Sequence, residues 1–445
     1  MSENALAEID WLVEAAKSAR LHELARSVPE RPSRTPGRRK EHPAFVGLLY
    51  VLLAGGVTGS HRSAATLLAS ERAWRLVRLA ARRAAGEDLS RKPPRRGQLE
   101  TWRGCLSEHV GPLRERAADL AVAQAIEAGC FDGTGAPADP KRHNMIVGDG
   151  KVVACPVLSK TADRWREQGR PLDVALHKQA GEDSDAYVTG SKFALIGVRA
   201  SDARNARILL DVAHLPSAKG YGGESGKAVE MVEDALRRVR ELDGDVDGVC
   251  YDGAFRGKHI DRMMKHGLVV LSPVNRMTGA PTPFEIVADC PCGRRHQLAT
   301  LNGDLHESRE LDTGDVHYTR LARKRLAKRR NDKPPHACRW YQDFVLPCGK
   351  TLTIRLDNTD EDCAVRKPRA ERIRQHAPEG GVYQDRYGWR EDSESWNNIV
   401  DRTLYGERMI AHTWRKQLLF MIGHMLARNV LAQHAIDRER LRPTA

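Results

Sequence analysis

Two acids stand where short apolar runs give way to turns, Asp132 in CFDGTG and Asp252 in VCYDGAF. A carboxylate at the end of a buried strand is costly to hold unless something compensates its charge, and a bound cation is one such partner. Strand ends are also where functional groups of α/β sheets converge. The plainer role for an Asp-Gly pair is an Asx-type turn, in which the carboxylate caps nearby backbone N–H groups. Asp211, in ILLDVAH, competes with Asp252 as an acid on an apolar strand. A third acid is set differently. Tyr387, Arg390 and Glu394 read Y-x2-R-x3-E at the entry to a helical stretch. On a helix Arg390 and Glu394 share a face, as they would in an ordinary surface ion pair.

The elements that must position these groups fall into four regions. Residues 1–126 read as a helical N-terminal domain, with Leu6, Ile9, Leu12 and Val13 on one face. A basic linker, Arg31 to Pro43, precedes the apolar helix FVGLLYVLLAGG. A second helix is expected through SAATLLASERAWRLVRLAARR, and the pair reads either as a DNA-reading helix-turn-helix or as a plain helical hairpin. Residues 127–274 alternate strands and helices. AGCFDGT, FALIGVRA, RILLDVAHL, DGVCYDG and LVVLSPV are the expected strands, and ESGKAVEMVEDALRRVREL and FRGKHIDRMMKHG the helices. The span Gly135 to Gly190 has weak periodicity and reads as an elaboration between the first two strands. A hairpin followed by β-α-β implies a mixed α/β sheet with helices on its faces. Residues 275–386 read as a β-rich insertion, and residues 387–445 return to helix, with an apolar stripe from Ile410 to Met425.

Composition limits the function classes. The 445 residues carry a formal net charge of +13, and 41% are hydrophobic. Such an excess favours a polyanionic partner, nucleic acid foremost, and charge alone leaves double-stranded DNA, RNA and anionic membrane open. The longest apolar stretch is shorter than the ~20 residues a bilayer crossing needs. The acidic start of the chain lacks a signal-peptide pattern, so a cytoplasmic protein is expected. Nine cysteines are too sparse for a disulfide scaffold.

The ordered set of strand-Asp, strand-Asp and Y-x2-R-x3-E resembles the DDE-type bacterial insertion-sequence transposases with a YREK signature. The likeness spans roughly residues 127–435. It implies an RNase H-like core, with a β-rich insertion separating Asp252 from Glu394. It further implies metal-dependent strand cleavage and strand transfer on DNA by a homodimer. Two Mg2+ or Mn2+ ions would be held by Asp132, Asp252 and Glu394, with Asp132 bridging, and hard oxygen ligands suit those ions. Tyr387 and Arg390 would grip phosphates beside the scissile bond. The signature expects Lys where Asp401 stands, which leaves Arg402 or Arg408 to contact the DNA end. Two alternatives remain: a transposase-derived DNA-binding protein that no longer cuts, and an RNase H-like nuclease without strand transfer.

Two further patterns bear on partners and metals. The basic run Arg320 to Arg330, with Arg325, Lys328 and Arg329, would either track DNA phosphates or form a solvated helix face. Cys290, Cys292, Cys338 and Cys348, with His296 in CPCGRRH, would suit a structural Zn2+, although C-x-C is tighter than the usual spacing. Trp396 reads as core, with base wedging as its functional alternative.

Overall fold

The central strand, β1, is Met145–Ala154, and it lies inside the stretch of weak periodicity. The computed structural model describes residues 7–29, 41–178, 187–215, 223–274, 280–288, 290–330, 338–364 and 368–441. Residues 31–40 of the expected basic linker lie outside the described residues. The chain is mixed α/β. It begins with helices α1 (Glu8–Lys17), α2 (Ala19–Ser27), α3 (Ala44–Gly56), α4 (His61–Ala69), α5 (Glu71–Ala85), α6 (Arg96–Glu108) and α7 (Val110–Glu127). After β1 come α8 (Ser159–Glu167), β2 (Ala175–Lys178), β3 (Tyr187–Arg199), β4 (Arg207–Leu215), α9 (Gly223–Glu241), β5 (Gly248–Cys250), α10 (Gly257–Lys265) and β6 (Val269–Leu271).

These strands form one mixed sheet. β3 pairs antiparallel with β1, β2 and β4, while β5 lies parallel between β1 and β6. The apolar runs expected as strands at FALIGVRA, RILLDVAHL, DGVCYDG and LVVLSPV correspond to β3, β4, β5 and β6. AGCFDGT does not form a strand; Asp132 makes only an isolated bridge to Asp245. β1 takes the central place instead. Its MIVGDGKVVA holds two glycines, an Asp and a Lys, residues depleted from strands, which hides it from a propensity reading.

A second β-rich region follows. β7 (Thr282–Val287), β8 (His296–Leu301), β9 (Asp304–Glu310) and β10 (Val316–Arg320) make a four-stranded sheet. β11 (Ala322–Arg330), β12 (Cys338–Val345) and β13 (Thr351–Arg355) make a three-stranded one. The basic run is therefore an edge strand rather than a helix. Then come α11 (Asp360–Ala364), α12 (Arg369–Arg372), α13 (Gly381–Tyr387), α14 (Glu391–Thr403) and α15 (Trp414–Arg440).

The helix expected from Ser63 through Arg83 is two helices. Ser70 is extended (ψ 121°) and both ends α4 and starts α5. α3 is buried at every residue. It packs along α15 so closely that a Cβ at Gly55 would lie 2.2 Å from the Phe420 carbonyl oxygen, and one at Gly423 2.3 Å from that of Val51. The N-terminal helices, the sheet and the C-terminal helix thus share a continuous apolar core.

Candidate active site

β1 and β5 run parallel with Val147 opposite Cys250. Continuing that register by two residues brings Asp149 beside Asp252, on the same side, because side chains alternate along a strand. Glu224, in the first turn of α9, joins them. Carboxylate oxygens of Asp149, Glu224 and Asp252 all lie within 4.8 Å of one another. The glycine after Asp149 makes room, since a Cβ on Gly150 would fall 2.2 Å from the Glu224 carboxylate.

Each carboxylate is held by directional bonds. The Tyr251 hydroxyl donates to Glu224 Oε1 at 3.0 Å, and Lys192 Nζ lies 2.7 Å from Oε2. The Ala254 amide donates to Asp252 at 2.9 Å. Asn397 Nδ2 on α14 donates to Asp149 Oδ2 at 2.9 Å, and Arg390 approaches the same oxygen at 3.7 Å. Burial, followed by the nearby charge of Asp252, pushes Asp149 up to about 6. Burial and Glu224 likewise raise Asp252. Asp149 and Asp252, crowded with Glu224, resist ionising, and a divalent cation would relieve that repulsion. The donor set therefore fits a hard cation such as Mg2+ or Mn2+.

The expected site residues divide. Asp252 is in the cluster; Asp132 is not. Asp132 accepts from the Thr134 amide (3.0 Å) and hydroxyl (2.7 Å) and from Asn144 Nδ2 (2.7 Å). Although burial opposes it, these bonds hold its carboxyl well below the usual range. That is the Asx-turn alternative, and the acid that lies beside Asp252 is Asp149. Asp211 is buried and bonded through both oxygens to Arg114 of α7, a pairing that ties helix to sheet, and it is not among the three gathered acids.

Glu394 is exposed in the first turn of α14 and bonded to Arg390, so the i,i+4 contact forms. It is not among the three gathered acids, but Asn397, one turn further on, touches Asp149. Tyr387 ends α13, stacks on Tyr383 at 4.9 Å, and lies under Arg390. Asp401 is paired with Lys151 at 2.5 Å, so a β1 lysine lies next to the place where the signature lysine is missing. Arg402 is exposed beside it. Trp396 is buried against Gly197, as core.

The basic strand is partly engaged in packing. Arg325 pairs with Asp343 at 3.1 Å, Arg329 lies 4.5 Å over Tyr341, and Lys328 reaches the Gly267 carbonyl. Among the thiols, Cys290, Cys292 and Cys348 converge with His296. Cys338 does not join them; it opens β12 opposite Arg330. Sequence reasoning missed Asp149 and Glu224. The signal available for Asp149 was an acid flanked by glycines between apolar pairs.

No family model matches the chain, and no curated protein matches it. Among the described residues no helix is long and apolar enough to cross a membrane.

Proposed function

We propose that the chain is a DDE-type DNA transposase that cuts transposon ends and joins them to target DNA. The observation that carries this reading is the meeting of Asp149 and Asp252 across neighbouring parallel strands, beside the Tyr387–Arg390–Glu394 segment. The strand order β4-β3-β1-β5-β6, antiparallel then parallel, supports an RNase H-like core. The excess of positive charge supports a DNA partner.

In this reading Asp149 and Asp252, with Glu224 and Glu394 to either side, would hold two Mg2+ or Mn2+ ions. Bound there, the ions would neutralise phosphate charge and favour both the attacking and the leaving oxygen. Water attacks the phosphodiester at the transposon end, and the 3′-OH released by that cut attacks target DNA. Arg390 offers two N–H groups to a phosphate beside the scissile bond, where its planar fork suits bidentate contact. Tyr387 is positioned by its stack on Tyr383 to donate to the same backbone. Lys151 and Arg402 flank Asp401 and would grip the next phosphate. Arg325 and Arg329 extend the basic track along β11, and a homodimer would bring two DNA ends together.

The test is cutting of linear DNA that carries the flanking sequences of this reading frame, with Mg2+. Asp149→Asn, Asp252→Asn and Glu394→Gln should each abolish cutting and keep DNA binding, while Asp132→Asn should still cut. Full activity in both Asp149→Asn and Asp252→Asn would reject the reading. Pre-nicked ends that are never joined to target would reduce the protein to a nuclease without strand transfer.

A further inference from the structure

Four ligand-type side chains converge between turns of the two smaller sheets. Cys290 and Cys292 lie in the turn before β8, closed by the Gly293 amide donating to the Cys290 carbonyl at 2.9 Å. His296 opens β8. Cys348 comes from the other sheet, in the turn between β12 and β13. Cys290 Sγ is 3.6 Å from Cys348 Sγ, and Cys292 Sγ is 3.3 Å from His296 Nε2. All four ligand atoms fall within 4.8 Å of one another.

Those separations match a tetrahedral centre. Bonds of about 2.0–2.3 Å from zinc to nitrogen and sulfur place ligand atoms roughly 3.5–3.8 Å apart. They do not match a disulfide, whose sulfurs lie about 2.05 Å apart. The histidine is also prepared for such a role. Its Nδ1 is bonded to the Glu307 carboxylate on β9, which leaves the Nε2 lone pair facing Cys292. A carboxylate behind a histidine in this way fixes the tautomer and raises ligand basicity at metal centres. His296 and Cys290 are buried, whereas Cys292 and Cys348 are exposed and leave an entry path.

We propose that Cys290, Cys292, His296 and Cys348 bind one structural Zn2+ that staples the β7–β8 turn of one sheet to the β12–β13 turn of the other. The ligand set takes His296 in place of Cys338. With all four positions filled by protein, the centre has no open site for substrate. Its consequence is mechanical: the edge strand β11 is carried by the same three-stranded sheet, so the staple sets where the basic strand points. The inference stands independently of the transposase reading.

The test is the zinc content of purified, EDTA-washed full-length protein. Wild type and Cys338→Ser should each hold one zinc, whereas Cys348→Ser and Cys292→Ser should lose it. Zinc-free wild type with a Cys290–Cys348 disulfide by mass spectrometry would overturn the proposal, as would zinc retained in the Cys292→Ser, Cys348→Ser double variant. Should the serine variants fail to fold, Co2+ exchange into wild type decides. Intense thiolate-to-cobalt absorption with tetrahedral ligand-field bands supports the site, and the weak bands of octahedral cobalt overturn it.

Discussion

Asp149 carries a cost in the metal-free protein that its neighbours impose. Its carboxyl is raised to about 6 by burial and by Asp252. A raised acid contributes stability that is complete below its unfolded value and is lost as pH rises through the folded one. The metal-free chain should therefore lose stability on this account between about pH 4 and pH 6. Asp149→Asn removes the repulsion and should stabilise the EDTA-treated protein at pH 7 by about 1–3 kcal/mol, read by urea denaturation. The same change should remove the gain in stability on adding Mg2+. A destabilised Asp149→Asn would mean that the bonds to Asn397 and Arg390 outweigh the clustered charge.

At the scale of elements, α14 must be held against the sheet for Arg390 and Asn397 to reach Asp149. Asp392 does the holding. It is 1% exposed and accepts from Arg142 at 3.0 Å, Arg199 at 2.7 Å and Arg207 at 2.7 Å, drawn from the segment before β1, from β3 and from β4. Removing the one acid leaves three partly buried guanidinium groups without their shared partner, so Asp392→Ala should cost about 3–5 kcal/mol. A loss below 1 kcal/mol in chemical denaturation would show that α14 is anchored by Trp396 packing alone. The pairing also explains why Asp392, rather than its exposed neighbour Glu391, points inward.

Across the whole molecule, the helical layer meets the C-terminal segment at the half-buried His61. His61 Nδ1 lies 2.9 Å from the Tyr50 hydroxyl, and Nε2 lies 3.1 Å from the Ile410 carbonyl and 3.0 Å from Arg103. Burial and then Arg103 lower His61 to about 4. Here the folded value is depressed, so the stability it contributes is present above about pH 6.5 and is lost as pH falls toward 4. His61→Gln should lessen the drop in stability between pH 7 and pH 5 by about 2 kcal/mol. Identical pH profiles for wild type and variant would show that His61 titrates freely. The direction is opposite to that of Asp149, so the two variants separate contributions that partly cancel in the wild type.

Much of the architecture was legible because local pattern and tertiary role agreed. The apolar runs of β3, β4, β5 and β6 and the 3.6-residue period of α9 are read from side-chain spacing, which burial enforces; α15 instead starts at Trp414, after the stripe's first residue Ile410, and is buried on every side from Gln417 to Met425. The i,i+4 pairing of Arg390 with Glu394 and the position of Asp252 just past β5 are likewise local. β1 was hidden because its Gly148, Asp149 and Gly150 are there for what packs above them, Tyr251 and the Glu224 carboxylate, and not for strand propensity. Asp132 looked equivalent because an Asp-Gly turn and a cluster acid share the same local sequence. Asp149 and Asp252, distant in the chain, are brought together by strand pairing, whereas His296 stands beside Cys290 and Cys292 in CPCGRRH and Cys348 reaches them from a turn of the other sheet. Period and composition determined β3, β4, β5, β6 and α9, whose spacing burial enforces; the register of β1 against β5 decided that Asp149 and Asp252 share a site, and the approach of two separate sheets decided that Cys348 joins the CPCGRRH residues.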